Sequence, residues 1–329
     1  MEVGIFYSRF PRLGRGHLAQ LCRWLDATSA SAHPSMAGSI HRRPRWIWCD
    51  GGVTTLGWER FEGFLWRTTS LLVLAESESL VVDPAISADE VAGIGRRALE
   101  LGAPVRHVLI THGDWDHVCG IGGFPDAWVW MSEETGEKVA GGAADQSSRR
   151  AAEHYNFVLA GSPRVDQTFR RGLAVALGPF VVETFPLVGH TADGTGFRLR
   201  EQKLLIVGDY LSAVEFPFAT SPAAYRITLA GLIEMLREDP PEAVIPGHGP
   251  PLEARDALSV AEADLSYLRS LHMAVVGAMA HGTRDEARAA GLAVDLPREY
   301  PPEFEEMRGF NVDREIEEVF AAPSAAAGG

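Results

Sequence analysis

The sequence predicts an α+β protein of four layers, in which two β-sheets face each other and helices cover the outer face of each sheet. Short apolar runs with strand character recur between residues 70 and 246. Helical patterns at 87–101, 132–139 and 221–237 separate these strands into groups. Several of the runs end at a histidine or an aspartate. Loops at one shared edge of the two sheets can therefore bring these residues together.

The first group of strands begins with a predicted hairpin. Residues 70–75 and 79–82 are strand-like and are joined by a short polar turn. Ser87 and Glu90 then stand three residues apart, which is the spacing of a capping box, so a helix is predicted to run from here to about Leu101. The further elements predicted in this half are strands at 105–110 and 127–131 and helices at 132–139 and 146–159.

The second group of strands is predicted to form a mostly antiparallel sheet. Its strands are expected at 173–177, 180–186, 196–200, 203–207 and 243–246. A helix at 221–237 precedes the last strand, and a long amphipathic helix at 252–280 follows it. After a break at Gly282, a short helix near 284–290 and an acidic helix at 302–320 are predicted.

These patterns divide the chain into four parts. Residues 51–252 are expected to form the sheet-containing domain, and residues 253–320 a helical extension packed on it. Residues 1–50 are rich in arginine and poor in acids, which fits a disordered tail, a start codon placed too early or a transit-like leader, and we favour the first two. The Ala/Gly-rich residues 321–329 are expected to be disordered.

The composition restricts the class of partner. A formal net charge of -14 argues against nucleic acid, because phosphate binding normally requires a basic surface. No apolar run is long enough to span a membrane, and no signal-peptide pattern is present. The cysteines Cys22, Cys49 and Cys119 lack the spacing of a disulfide framework. We therefore expect a cytoplasmic enzyme that acts on a small molecule, without a nucleic-acid or membrane partner.

The segment 111–117 carries four potential metal ligands directly after a strand-like run. In its sequence Thr-His-Gly-Asp-Trp-Asp-His, His112 and Asp114 can face one point, while Asp116 and His117 can face another. This arrangement predicts two adjacent metal ions. Three later segments supply the further ligands that such a site needs, namely His190 in Gly-His-Thr, Asp209 in Gly-Asp-Tyr and His248 in Pro-Gly-His-Gly.

The order of these motifs resembles the metallo-β-lactamase superfamily, over roughly residues 71–252. The resemblance implies an αββα sandwich that holds two divalent metal ions, with zinc favoured and iron or manganese as alternatives. It assigns His112, Asp114 and His190 to the first metal, Asp116, His117 and His248 to the second, and Asp209 to a bridge between them. It also suggests Asp83 as a hydrogen-bond partner of a ligating histidine.

One position departs from the signature of that superfamily, HxHxDH, because its second histidine is here Asp114. A carboxylate is a harder ligand than imidazole, so iron and manganese become compatible with the first position as well as zinc. The flavodiiron branch of the superfamily carries a similar substitution by glutamate. A diiron oxidoreductase of that type is therefore one alternative, although no flavodoxin-like βα series is visible in this sequence.

The resemblance implies a metal-dependent hydrolase that uses a metal-bridged hydroxide as its nucleophile. Asp116 would orient that hydroxide or carry a proton, while Tyr210 would line the pocket or donate to a developing oxyanion, or belong simply to the core. The helices after His248 resemble the extension of glyoxalase II and lactonase relatives, which favours an ester, thioester or lactone substrate. A non-catalytic metal-binding sensor module is a further alternative, and a homodimer through the C-terminal helices is left open.

Overall fold

The structure is a computed structural model that describes residues 45–49, 52–280, 282–300 and 305–321. Among these residues, one sheet contains seven strands in chain order. The strands are β1 (Arg45–Cys49), β2 (Gly52–Glu62), β3 (Thr69–Leu74), β4 (Ser79–Val82), β5 (Val105–Leu109), β6 (Trp128–Ser132) and β7 (Gln167–Phe169). Pairing is antiparallel from β1 to β4 and parallel from β4 to β7. The predicted hairpin of β3 and β4 is confirmed.

A second sheet of five strands is present in the described part of the chain, in the order β12-β11-β10-β9-β8. Its strands are β8 (Ala174–Leu177), β9 (Phe180–Pro186), β10 (Thr195–Leu199), β11 (Leu204–Ile206) and β12 (Ala243–Ile245). All neighbours pair antiparallel except β11 and β12, which are parallel and are joined through a helix. The prediction of a mostly antiparallel second sheet is confirmed.

The helices connect and flank these strands. They are α1 (Ala88–Glu100), α2 (Trp115–Val118), α3 (Glu133–Ala140), α4 (Ala143–Tyr155), α5 (Pro222–Glu238), α6 (Ala254–Met279), α7 (Arg284–Leu292) and α8 (Glu305–Ala321). The capping box predicted from Ser87 and Glu90 begins α1, since each side chain bonds the backbone N–H of the other residue. None of the helices described is both long and apolar enough to cross a membrane.

Three of the apolar cores in the described part of the chain hold four layers together, which confirms the predicted α+β sandwich. Between the sheets, Leu71 and Val82 of the first sheet pack with Phe197 and Ile206 of the second. The outer face of the first sheet packs on α1 and α3, and the outer face of the second packs on α5, α6 and α8. Side chains alternate between the two faces of a strand, so each sheet supplies residues to two of these cores.

Several boundaries differ from the predictions. Helix α4 was expected at 146–159 but spans Ala143–Tyr155, and it stops because Asn156 adopts a left-handed conformation with φ of 57°. Strand β7 was not predicted. Strand β1 lies in the segment 1–50, which was expected to lack structure, and it pairs with β2. The rest of that segment and residues 322–329 of the predicted tail lie outside the described residues.

The helices after β12 pack against the second sheet rather than standing apart from it. Val312 and Ile316 of α8 share one core with Leu229 of α5 and Val244 of β12. The assignment of residues 253–320 to a helical extension packed on the sheet-containing domain stays a prediction. The shared core does make α8 a neighbour of the loop between β11 and α5.

Candidate metal centre

The seven predicted ligands lie at the carboxyl-terminal ends of four strands. The segment 111–117 follows β5, His190 follows β9, Asp209 follows β11 and His248 follows β12. Their ligand atoms form overlapping groups of three, and within each group all of these atoms lie within 4.8 Å of one another. The fold therefore brings all seven side chains together, as the chain order of the motifs predicted.

The first group contains His112, Asp114 and His190. Oδ2 of Asp114 lies 3.7 Å from Nε2 of His112 and 3.5 Å from Nε2 of His190. These distances leave room for a cation between the three atoms, because metal–ligand bonds of roughly 2.0 to 2.2 Å place neighbouring ligand atoms three to four ångströms apart.

The second group contains Asp116, His117 and His248. Oδ2 of Asp116 lies 3.6 Å from Nε2 of His117 and 3.3 Å from Nε2 of His248. Asp116 and His117 belong to the short helix α2, and all three side chains are buried. The second group therefore repeats the composition of the first, with two imidazoles and one carboxylate.

Asp209 lies between the two groups and gives one carboxylate oxygen to each. Its Oδ2 is 3.5 Å from Nε2 of His112 and 3.1 Å from Nε2 of His190. Its Oδ1 is 3.1 Å from Nε2 of His117 and 3.4 Å from Nε2 of His248. This is the geometry expected of a carboxylate that bridges two cations.

The outer nitrogen of two imidazoles is tied to a backbone carbonyl. Nδ1 of His190 lies 3.0 Å from the carbonyl oxygen of Phe218, and Nδ1 of His248 lies 3.0 Å from that of Trp66. A carbonyl oxygen can only accept, so Nδ1 carries the proton in both rings. In the neutral imidazoles Nε2 therefore keeps a bare lone pair directed into the site.

The other two imidazoles are connected through Asp83. Nδ1 of His117 lies 3.0 Å from Oδ2 of Asp83, which confirms the contact predicted between this acid and a motif histidine. The Thr111 hydroxyl donates to the same Oδ2 over 2.6 Å, so its oxygen is free to accept from Nδ1 of His112 at 2.9 Å. All four imidazoles are thus oriented with Nε2 inward.

Four of the inward atoms are buried and find no hydrogen-bond partner among the described residues: Nε2 of His112, His117 and His190, and Oδ1 of Asp209. Buried polar atoms are nearly always satisfied, and a cation satisfies all of these lone pairs at once. Gly247 leaves space for two of these ligands, because a Cβ there would lie 2.2 Å from Oδ1 of Asp209 and 2.9 Å from the His117 ring. Four nitrogen and three carboxylate ligands fit zinc, and also iron or manganese.

The pKa values of the site without metal also indicate that it can hold cations. Burial by itself would raise the pKa of Asp209, but the surrounding histidines, above all His117, hold this pKa well below its usual range. Burial would lower the pKa of His190, but Asp209 and Asp114 raise it to about 10. Several carboxylates therefore face one enclosed space, which takes up positive charge either as protons or as metal ions.

Tyr210, predicted as a catalytic residue, is almost fully buried, and its hydroxyl faces the backbone. This hydroxyl donates to the carbonyl of Val188 over 2.8 Å and accepts from the N–H of His190 at 3.1 Å. Both contacts hold the loop that carries His190. A catalytic role for this hydroxyl stays a prediction.

The loop between β11 and α5 is held by residues near the C-terminus. The side chain of Asn311 in α8 donates to the carbonyl of Pro217 over 2.6 Å and accepts from the N–H of Ala219 over 2.9 Å. Between these two residues lies Phe218, whose carbonyl orients His190. We call this pair of bonds the Asn311 bracket. No sequence motif predicts this bracket, because Asn311 lies 92 residues or more from its partners.

Aromatic side chains surround the second group. Trp66, whose carbonyl holds His248, makes edge contacts with Trp115 and Tyr155 at centroid distances of 5.2 and 5.5 Å. Trp115 precedes Asp116 in α2 and stacks on Tyr155 and Phe157. An apolar wall therefore lies beside the carboxylates.

Solved structures with the same fold include a metallo-β-lactamase family protein from Thermus thermophilus, with a TM-score of 0.55 and 19% identity over 77% of this chain and 89% of that one. A β-lactamase domain protein from Burkholderia ambifaria has a TM-score of 0.56 and 18% identity over 89% and 90% of the two chains. Identities this low show the shared fold alone.

Curated relatives are also distant in sequence. A hydroxyacylglutathione hydrolase from Methylobacterium is 28% identical over 148 residues, which are 45% of this chain and 50% of that protein. An uncharacterised protein from Bacillus subtilis is 27% identical over 203 residues, or 56% and 84% of the two chains. The chain thus spans about half the length of the hydroxyacylglutathione hydrolases that it matches.

The family model of the metallo-beta-lactamase superfamily matches residues 63–248. This range is more than half of the chain and includes all seven side chains that converge at the strand ends. The chain belongs to the metallo-β-lactamase superfamily.

Proposed function

We propose that this protein is a metal-dependent hydrolase that cleaves an ester, a thioester or a lactone of a small molecule. One observation carries the proposal: the two oxygens of Asp209 face two separate groups of inward imidazole nitrogens. Seven side chains arranged in this way would hold two divalent metal ions, with zinc favoured because half or more of each group is imidazole.

When bound, such ions lower the pKa of a water molecule and polarise the substrate carbonyl, which allows attack near neutral pH. The protein supplies the orientation. Asp83, Thr111 and two backbone carbonyls fix the imidazoles, so their lone pairs are in place before substrate arrives. Asp116 would accept a proton from the nucleophile and return it to the leaving group.

Two features support a substrate with an acyl group. The aromatic wall of Trp66, Trp115 and Tyr155 offers apolar contact next to the second group. In addition, several of the curated relatives are named hydroxyacylglutathione hydrolases, and hydrolysis of an acylglutathione breaks a thioester. A thioester is therefore the first substrate class to test, followed by aryl esters and lactones.

The test begins with the metal content of the full chain, purified without chelators and measured by mass spectrometry. We expect close to two equivalents of zinc per chain. Turnover is then measured with an acyl thioester, an aryl ester and a lactone, with and without a chelator. Asp116→Ala should abolish turnover, whereas Asp126→Ala, at an exposed aspartate outside the site, should leave it unchanged.

The same measurements separate the alternatives. Two equivalents of iron together with a requirement for an electron donor would favour a diiron oxidoreductase, a reading that the carboxylate of Asp114 makes chemically reasonable. Bound metal without turnover of any of the three substrate classes would favour a sensor module. Less than about half an equivalent of any transition metal would contradict the metal site itself.

A further inference from the structure

Asp114 has a cationic partner outside the proposed ligand set. Nζ of Lys138, in α3, lies 2.7 Å from Oδ1 of Asp114 and 3.7 Å from Oδ1 of Asp193. The chain contains only two lysines, Lys138 and Lys203, among 329 residues. The Lys138 side chain is 23% exposed, so most of it is enclosed beside the first group.

The two oxygens of Asp114 have different surroundings. Oδ2 faces Nε2 of His112 and Nε2 of His190, while Oδ1 is engaged by the ammonium of Lys138. An oxygen that accepts a short charge-assisted hydrogen bond is a poor second ligand for a metal on the other side of the carboxylate. The contact with Lys138 therefore leaves Asp114 one oxygen, Oδ2, that can bind a metal ion held by the first group. We call the place of that ion the first position.

The surroundings of the lysine are built to hold it. Oδ2 of Asp193 accepts from the N–H of Gly113 over 2.7 Å, so Asp193 is anchored to the segment 111–117, which we call the ligand loop. Its other oxygen, Oδ1, faces the ammonium of Lys138. Gly113 has no side chain, and a Cβ there would lie only 2.7 Å from Cδ of Lys138. The stem of Lys138 thus crosses the ligand loop at the one residue that leaves room for it.

The second group has no such partner. In the described part of the chain, Asp116 forms ion pairs with His117 and His248 and with no lysine or arginine. Both groups share Asp209 and contain two histidines and one further carboxylate. The ammonium is therefore one chemical difference between the two ligand sets, and a second is Glu215, whose Oε1 lies 3.7 Å from Nδ1 of His248 in the second group.

We propose that Lys138 is a positioning residue that holds Asp114 as a single-oxygen ligand and thereby sets the preference of the first position for zinc over manganese. The inference rests on the proposed metal-dependent function. Zinc favours four ligands and tolerates a single carboxylate oxygen, whereas manganese favours six ligands with more oxygen. Release of Oδ1 adds an oxygen ligand, which favours manganese relative to zinc, whereas the loss of a nearby positive charge strengthens the binding of both divalent ions alike.

The experiment compares the full-length protein with Lys138→Met, Lys138→Arg and Lys203→Met. Each is stripped of metal and titrated separately with zinc and with manganese against a chromophoric chelator. We expect Lys138→Met to lower the zinc-to-manganese affinity ratio of one of the two bound equivalents by about tenfold or more, the size of effect that is usual for residues that orient a ligand. Lys138→Arg retains a cation and should change the ratio less, and Lys203→Met, on an exposed lysine, should leave it unchanged.

Gly113→Ala gives an independent test, because it leaves the ammonium in the chain but displaces its stem from the ligand loop. We expect the ratio to fall in this variant too, and circular dichroism checks that every variant is folded. If both Lys138→Met and Gly113→Ala fold and keep the wild-type ratio, the inference is wrong. If the wild-type protein binds neither metal, the proposed function fails instead, so the two failures are distinguishable.

Discussion

The two ligand groups have the same composition but lie at different depths. In the first group the side chains of Asp114 and His190 are 36% and 15% exposed, whereas in the second group those of Asp116 and His248 are 7% and 2% exposed. The second group is therefore part of the packed interior, whereas two members of the first group, Asp114 and His190, are partly exposed to solvent. The same composition therefore has two different environments, because depth decides which group meets solvent.

The local chain explains the difference in depth. Asp116 and His117 lie in α2, next to Val118 and Cys119, which are fully buried among apolar side chains. The carboxylate of Asp114 precedes this helix and points toward α3, where Lys138 meets it. A short helix thus fixes one group in the interior, while the extended residues before it present the other group to the surface.

Asp209→Ala should have the largest effect, because it removes the one residue that both groups share. We expect the variant to bind less than one equivalent of zinc. Its kcat/KM should fall by more than about a hundredfold, which exceeds the usual effect of replacing a residue that only hydrogen-bonds to a ligand. Metal analysis and a thioester assay measure this. Retention of two equivalents would mean that Asp209 does not join the groups.

Asp83→Asn should have a smaller effect that differs between the groups. Asp83 contacts His117 directly but reaches His112 only through Thr111, so the second position should be weakened more than the first. We expect a loss of about ten- to hundredfold in affinity for one of two zinc equivalents. Competition titration gives the two affinities, with Asp126→Asn as the control. Equal weakening of both would contradict the separate roles.

Replacing one histidine of each group should lower the free energy of unfolding of the protein by different amounts. In the metal-free protein, His117→Ala leaves the buried carboxylate of Asp83 without one of its partners and should lower the free energy of unfolding by about 1 to 3 kcal/mol. His190→Ala removes a partly exposed ring and should cost less. Urea unfolding with a chelator present measures both, and the reverse order would contradict the difference in depth.

A further prediction concerns the pH dependence of the stability of the metal-free protein. Burial lowers the pKa of His190, but Asp209 and Asp114 outweigh it and raise the pKa from 6.5 to about 10. The folded state binds this proton more tightly than the unfolded state, so its contribution is complete below about pH 6.5 and is lost as the pH rises toward 10. The urea midpoint should therefore fall over this interval, and less steeply in His190→Ala. A rising midpoint would contradict the prediction.

Much of the fold follows from local signals. The hairpin of β3 and β4, the capping box of α1 and the strand before the ligand segment were all predicted, because alternation and cap residues act over a few positions. Strand β7 gave no such signal, since it is three residues long and mostly exposed. The early end of α4 depends on the backbone of Asn156, which apolar periodicity does not report.

The candidate site likewise contains residues that were predicted from the sequence and residues that were not. Seven side chains were predicted to converge because the order of their motifs resembles a known family, and the structure brings them together. Lys138 was not selected, because it lies 24 residues from Asp114 and no spacing rule connects them. Partners that depend on how one helix crosses another loop become visible only when tertiary packing is known.

The Asn311 bracket has a consequence for shorter versions of this chain. A protein cut after residue 252 would keep every residue of the matched family region and all seven inward side chains, yet it would lose the amide that fixes the carbonyl opposite His190. The loop that carries Phe218 would then lack the support of Asn311, and the partly exposed His190 would depend on a carbonyl that is no longer held in place. A chain can therefore contain the full set of motifs without an ordered site, and we expect the helices after residue 252 to be needed for that order.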